Sequence, residues 1–230
     1  MLGYSPNTVK KYVQGRYAVN SPRIVRSLQT SDERVIGVYV GLWMGDGTQY
    51  MDAGSYVVKF CLHADQNRMV EFIQELLMQL CEKPSHVVKS SLRQRQYVRL
   101  YSKFLFEWIA EYAVFSSRKT QTVRLRGAIS TYSREFLEGF VLGLMLSDGY
   151  LKKKACFNVV SKGLASDMYA VLEEFGYAPR LYVHDRSSYG WSDLHMVWLR
   201  VTESQQLSRF LDEVLSALGC GWSFRELKYE

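Results

Sequence analysis

The sequence predicts an α+β protein built from two copies of one half-domain. Three observations carry this. An apolar decapeptide occurs twice, since Val38 to Gly47 (VYVGLWMGDG) aligns with Phe140 to Gly149 (FVLGLMLSDG) at an offset of 148 − 46 = 102 residues. Small residues recur every four positions within each copy, at Gly37, Gly41 and Gly45 and at Gly139, Gly143 and Ser147. The same succession of strand-like and helix-like segments follows each copy.

Each decapeptide reads as the end of a helix. Ser31 and Ser133 are the expected N-caps, because a serine hydroxyl can accept from the free amides of a first turn. Glu33 and Glu135 then supply the acid that a helix N-terminus favours. Gly47 and Gly149 are the expected stops, taking the left-handed conformation common after a helix. Spacing of four sets the small residues in one stripe. Glycine inside a helix costs about 0.5–1 kcal/mol relative to alanine, so the matched stripes need a reason. Gly37, Gly41, Gly139 and Gly143 are read as packing residues that let the two helices meet backbone to backbone.

After each helix, Tyr56 to Leu62 and Ala155 to Ser161 read as strands rich in Val and Phe. Asp65 to Cys81 and Leu164 to Phe175 read as amphipathic helices. Two strands follow in each half, His86 to Ser90 with Gln96 to Ser102, then Arg180 to Asp185 with His195 to Thr202. Lys103 to Val114 and Ser204 to Leu218 close the halves as helices. The order becomes αββαββα if Thr48 to Met51 adds a strand. The expected divisions are a basic extension over 1–30, a first half over 31–114, a polar linker over 115–132 and a second half over 133–230.

The chain of 230 residues has 29 Lys and Arg against 23 Asp and Glu, a formal net charge of +6. That balance favours an anionic partner. Residues 1–31 carry Lys10, Lys11, Arg16, Arg23 and Arg26 and no acid, and within 89–126 the only acids are Glu107 and Glu111. Ser5 to Val13 resembles the start of a helix-turn-helix recognition helix. Cys61, Cys81, Cys156 and Cys220 form no CxxC pair and lack zinc-finger histidines, which argues against a structural zinc site. The longest apolar stretch, Phe136 to Leu146, contains Glu138 and is too short to span a bilayer. Reduced thiols and an intracellular location are expected, cytoplasmic in a prokaryote, with an organelle left open.

Asp46 and Asp148 each fall at the last turn of a glycine-striped helix, so helix pairing sets the two carboxylates side by side. Like charges there, at partly negative helix ends, call for a cation. Hard oxygen donors suit Mg²⁺, which tends to use one or two carboxylates plus substrate phosphate. Gly45 and Ser147, just before the aspartates, are expected at the same metal site. Such a centre can activate water and stabilise a phosphoryl displacement.

Alternation in the strands supplies the surface. Arg93, Arg95, Tyr97, Arg99 and Tyr101 share one face, opposite Val98 and Leu100. Arg180, Tyr182, His184 and Arg186 alternate with Leu181 and Val183, and Trp198, Arg200 and Thr202 alternate with Val197, Leu199 and Val201. Lys59 and Asn158 lie on the first strands, and Lys89 joins the basic set. A basic, aromatic sheet face with few acids fits a DNA groove, where Arg reads guanine and Asn reads adenine.

The paired decapeptides and these strands resemble the LAGLIDADG homing endonuclease family, in its single-chain, double-motif, intron-encoded and archaeal-like form. The resemblance covers roughly residues 31 to 218. It implies two αββαββα half-domains related by a pseudo-twofold axis, with a saddle-shaped antiparallel sheet over DNA. It further implies a monomer that makes a double-strand break in a long site with Mg²⁺ or Mn²⁺, leaving 3′ overhangs, while Ca²⁺ supports binding without efficient cleavage. The family's acidic position falls on Asp46 and Asp148, and its earlier acid is replaced by Met44 and Leu146. Its accessory polar residues would fall at Leu62 and His63 and at Val159 and Val160. Of these His63 has suitable chemistry, and Lys103, or Lys152 to Lys154, are the stand-ins. The competing readings are an intron RNA maturase, a cleavage-inactive DNA-binding regulator and an interaction domain unrelated to nucleic acid.

Overall fold

The computed structural model describes residues 28–81, 83–90 and 94–229. The expected basic extension up to residue 27, with its helix-turn-helix-like segment, and Arg93 lie outside the described residues. The first half runs α1 (Glu33–Gly45), β1 (Gly47–Asp52), β2 (Ser55–His63), α2 (Asn67–Cys81), β3 (His86–Ser90), β4 (Arg95–Tyr101) and α3 (Lys103–Trp108). A connecting segment holds β5 (Ala113–Val114), α4 (Lys119–Thr122) and β6 (Arg124–Leu125). The second half runs α5 (Arg134–Ser147), β7 (Gly149–Leu151), β8 (Ala155–Val159), α6 (Lys162–Glu174), β9 (Arg180–His184), β10 (Leu194–Trp198) and α7 (Val201–Ala217), and α8 (Phe224–Tyr229) follows. Each half is αββαββα, with an antiparallel sheet of order β1-β2-β4-β3 or β7-β8-β10-β9.

The helices α1 and α5 form the most extensive helix contact among the described residues. An added Cβ on Gly37 would strike the Phe136 carbonyl oxygen, and one on Gly139 the Arg34 carbonyl oxygen. One on Gly143 would stand 2.7 Å from Leu42 N and 3.0 Å from Gly41 Cα. Each contact has its reciprocal at the same offset, since 136 − 34 and 139 − 37 both equal 102. Reciprocity of this kind is the mark of a twofold relation. At the N-terminal ends Arg34 Nε reaches Glu138 Oε2 at 2.9 Å, tying the pair by charge. The core residues of both halves form one continuous cluster, with Tyr39, Trp43, Phe136 and Phe140 wholly buried.

Several expected boundaries shift, each for a local reason. Asp32, not Ser31, caps α1, its Oδ1 accepting from Arg34 N at 2.9 Å. Ser133 caps α5 as expected, accepting from Phe136 N at 3.1 Å. Gly47 and Gly149 are not left-handed stops. They open β1 and β7, and a Cβ on either would lie 2.5 Å from the Cα of Trp43 or Met145. Glycine is needed there for close passage past the helix just left, not for its φ. The last strand of the second half ends at Trp198, and α7 begins at Val201, because Arg200 N donates to Glu203 Oε2 at 3.1 Å and fixes a helix start. Lys103 to Val114 is helical only to Trp108, then tightens into a 3₁₀ turn over Ile109–Glu111 before β5.

The connecting segment is more than a polar linker. Val123 and Leu125 are buried. Ser161 Oγ donates to Val123 O, and Leu125 N donates to Asp167 Oδ2, both at 2.6 Å. These bonds pin α4 against the second half. No described helix is long and apolar enough to cross a membrane.

Candidate active site and nucleic-acid interface

Asp46 and Asp148 are the C-caps of the paired helices, their backbone amides donating to Leu42 O and Leu144 O at 3.0 Å each. Because the glycine stripes remove the spacing side chains, the two helix ends close on each other. Asp148 Oδ2 comes within 2.8 Å of where a Cβ of Gly45 would be. Burial raises the pKa of both carboxyls, and the charge of Asp46 pushes Asp148 further, to about 6. Two lysines oppose this. Lys119, from α4, donates to Trp43 O at 2.5 Å, to Gly45 O at 3.2 Å and to Gly47 O, and stands 4.6 Å from the Trp43 ring centroid. Lys228, from α8, donates to Leu146 O at 2.7 Å and Ser147 O at 2.5 Å. Each lysine thus satisfies the last carbonyls of one glycine helix, where a cation is favoured. Burial lowers both ammonium pKa values, Lys119 to about 8, while the aspartates pull them back up.

A cavity of about 150 Å³ lies beside Asp148, lined by Gly45, Thr120 and Asn158 together with the apolar Met44, Val159, Leu164 and Leu194. Gln49, on β1 three residues past Asp46, has a buried Oε1 with no partner. Its counterpart at the 102-residue offset is the buried apolar Leu151.

Of the residues expected beside the aspartates, Gly45 and Ser147 are there, with their carbonyls already accepting from Lys119 and Lys228. His63 is exposed at the end of β2, 2.5 Å from Asp65 Oδ1. Lys103 lies 3.6 Å from Glu107 and over the Tyr56 ring. Lys152 lies 5.7 Å from the ring centroids of both Tyr150 and Tyr229. None of these three is among the charges that act on Asp46 or Asp148; the cations that do are Lys119 and Lys228. No motif could have revealed that pair. Adding 102 to 119 gives Gly221, and subtracting it from 228 gives Arg126, so the lysines are not repeat equivalents.

Directly paired residues on antiparallel strands share a face. On the first sheet Lys59, Cys61, Arg95, Tyr97, Arg99 and Tyr101 share the face turned away from the core, while Phe60, Leu62, Val98 and Leu100 are buried on the other. Lys59 Nζ is 5.0 Å from the Tyr97 ring centroid and 5.2 Å from that of Tyr50. Lys89 pairs with the buried Gln96, so it stands on the helix side of an edge strand rather than on the basic face. On the second sheet Asn158, Met196 and Tyr182 form one row and Cys156, Trp198 and Arg180 another. His184 joins this face opposite Leu194. Arg186 lies beyond β9, donating to Ser192 O at 2.9 Å. Arg200 and Thr202 leave the strand altogether for the start of α7, although Arg200 still borders the face.

Residues 135–215 match the LAGLIDADG-like domain model. The homing endonuclease I-DmoI, solved with DNA and Mn, superposes with a TM-score of 0.61 at 16% identity, covering 79% of this chain and 97% of that one. The N-terminal LAGLIDADG domain of DUF199/WhiA gives 0.51 at 14% identity, covering 83% and 87%. Over 150 residues the chain is 24% identical to the ATP-dependent DNA helicase Hel308 of Thermococcus kodakarensis, which covers 62% of this chain but only 13% of that protein. Residues 135–215 are therefore similar to a LAGLIDADG-like domain, and the chain shares the fold of I-DmoI over 79% of its length.

Proposed function

We propose that this protein is a site-specific DNA endonuclease that hydrolyses one phosphodiester in each strand of a duplex with the help of a divalent cation. The observation that carries the reading is the pair Asp46 and Asp148, forced together at the ends of two reciprocal glycine helices. Burying two carboxylates near enough for one to raise the pKa of the other costs stability, and nothing in the packing of α1 against α5 requires acids there.

The donor set fits a hard divalent ion. It offers two carboxylates beside a cavity, but among the described residues no cluster of three His, Cys, Asp or Glu. That is the sparse set Mg²⁺ accepts when phosphate oxygens complete its shell. When bound, such an ion supplies Lewis acidity and an activated water. The protein's own part is positional and electrostatic. Asp46 and Asp148 fix the place, and the rigid helix pair keeps them from separating. Lys119 and Lys228 hold positive charge where phosphate must enter, which favours the charge that develops on a departing oxygen. Lys59, Arg95 and Arg99 bind and orient the duplex.

I-DmoI has been solved with DNA and Mn, and with DNA and Ca. A WhiA domain shares the fold, so the fold alone does not decide activity. Incubation with plasmid libraries in Mg²⁺, followed by end mapping, tests the reading. Discrete staggered ends that vanish with EDTA support it. Specific binding with no cutting in Mg²⁺ or Mn²⁺ would leave a DNA-binding regulator, and persistent cutting in EDTA would refute the metal centre.

A further inference from the structure

The two sheets have the same strand order, so their outer faces can be compared position by position. Phe60 pairs with Gly47 and with Val98, and Phe157 pairs with Gly149 and with Val197. Lys59 therefore corresponds to Cys156, Arg99 to Trp198, Tyr97 to Met196 and Arg95 to Leu194. At each position where a central strand of the first sheet carries a cation, the second carries an uncharged, mostly apolar group. The basic side chains of the second half lie at the edge, at Arg180 and His184 on β9. Between them lies a depression of about 560 Å³, its floor made by Met196, Trp198 and Tyr182 and its rim by Lys154, Arg180 and Arg200. In the first sheet, by contrast, Arg99 keeps a buried Nε with no partner.

These faces are suited to different base edges. In the major groove, guanine presents two acceptors to Arg or Lys, whereas thymine presents a methyl group to apolar side chains. We infer that the target is asymmetric in composition: the half under the first sheet is recognised through guanine acceptors, and the half under the second through thymine methyls, with rim cations on the flanking phosphates. This rests on the DNA-binding reading above, and it assigns that reading a substrate class.

The test uses the full chain in Ca²⁺ and a randomised duplex library, from which bound DNA is sequenced. In the selected site, deoxyuridine then replaces thymidine, or 7-deazaguanine replaces guanine, in one half at a time. Removing one buried methyl should weaken binding about fourfold, the factor that follows from burying a methylene. That loss should be confined to one half. The 7-deaza change should weaken the other by about fivefold or more per bidentate contact. Met196→Gln and Arg95→Gln assign the halves. Met196→Gln should abolish the deoxyuridine effect alone, and Arg95→Gln should blunt the 7-deaza effect alone. Both variants lie on the outer face, so their melting temperatures should match that of the wild type. Equal sensitivity of both halves to both analogues, or the reverse assignment, would overturn the inference while leaving DNA binding intact. If no duplex binds better than random DNA, the DNA reading itself fails, and this one with it.

Discussion

Replacing Asp148 with asparagine should stabilise the metal-free protein at neutral pH while abolishing turnover. The folded chain raises the Asp148 carboxyl from 3.8 to about 6 through burial and the charge of Asp46, net of the attraction of Lys119 and Lys228. At 1.36 kcal/mol per pH unit, that displacement means an ionised Asp148 opposes folding by up to about 3 kcal/mol. The pH dependence follows from the direction of the shift. Above pH 6 both folded and unfolded chains are ionised and the full penalty stands. As pH falls from 6 towards 3.8 the folded state takes up its proton first, and the penalty disappears. Asp148→Asn removes it at every pH. Thermal melts in EDTA should show the variant up to about 6–12 °C more stable at pH 7.5, at about 2–4 °C per kcal/mol for a chain of this size. The two proteins should converge near pH 4. Mg²⁺ should narrow the gap at pH 7.5, because it stabilises the protein that keeps both ligands. A variant less stable than wild type in EDTA at pH 7.5, or a gain that does not change with pH, would show that the carboxylates are not in mutual conflict.

Other expectations concern neighbouring groups. Lys119→Met and Lys228→Met should each cut cleavage strongly while sparing affinity for DNA, as read by single-turnover kinetics beside gel shifts. Each leaves helix-end carbonyls unsatisfied and should also cost about 1 kcal/mol of stability. Asp46→Asn should match Asp148→Asn in abolishing cleavage of both strands, checked on a supercoiled substrate that separates nicking from double-strand breaks. Gly41→Leu should fail at folding, since a side chain there meets the Phe140 carbonyl, and overpacking costs typically about 1–3 kcal/mol or more; normal expression and cutting would contradict the backbone contact. The pair Arg95→Ala with Arg99→Ala should weaken binding and relax specificity in one half of the site with little change in salt dependence, as the loss of base contacts requires. A salt dependence flattened by about two log units per decade would assign both to phosphates instead.

The repeat made most of the fold legible. Glycine every four residues, twice, has few explanations other than two helices in contact, and it carried with it the juxtaposition of Asp46 and Asp148. Strand alternation likewise found the faces of β2 and β4, because period two is geometric. What stayed hidden was whatever depends on chain path rather than local pattern. The segment around Lys119 reads as a polar linker, yet buried Val123 and the bond from Ser161 bring it to the end of α1. Lys228 lies beyond Leu218, where the last expected helix ends, and no local pattern marks it. The run from His195 to Thr202 alternates over its whole length, and only the bond between Arg200 N and Glu203 shows that β10 stops at Trp198. Lys89 sits in a basic stretch, but a face is set by register with the partner strand, which composition does not give.

The pattern of likeness between the halves follows from what each position touches. Gly37 and Gly139 each lie against backbone of the other helix, so enlarging either one displaces both copies, and the two stay alike. The aspartates share one site and are constrained in the same way. Outer-face residues such as Lys59 and Cys156 have no such reciprocal partner. Each can change without disturbing its counterpart, and these are the positions where the halves differ. The lysines are an instructive middle case. Equivalent helix ends present equivalent unsatisfied carbonyls, yet α4 and α8 are unrelated elements arriving from different parts of the chain. The chemical demand at the two ends is the same, and the route by which a cation reaches each is free. A search for function in such a chain therefore does better to ask which helix-end carbonyls need a donor than which residues repeat.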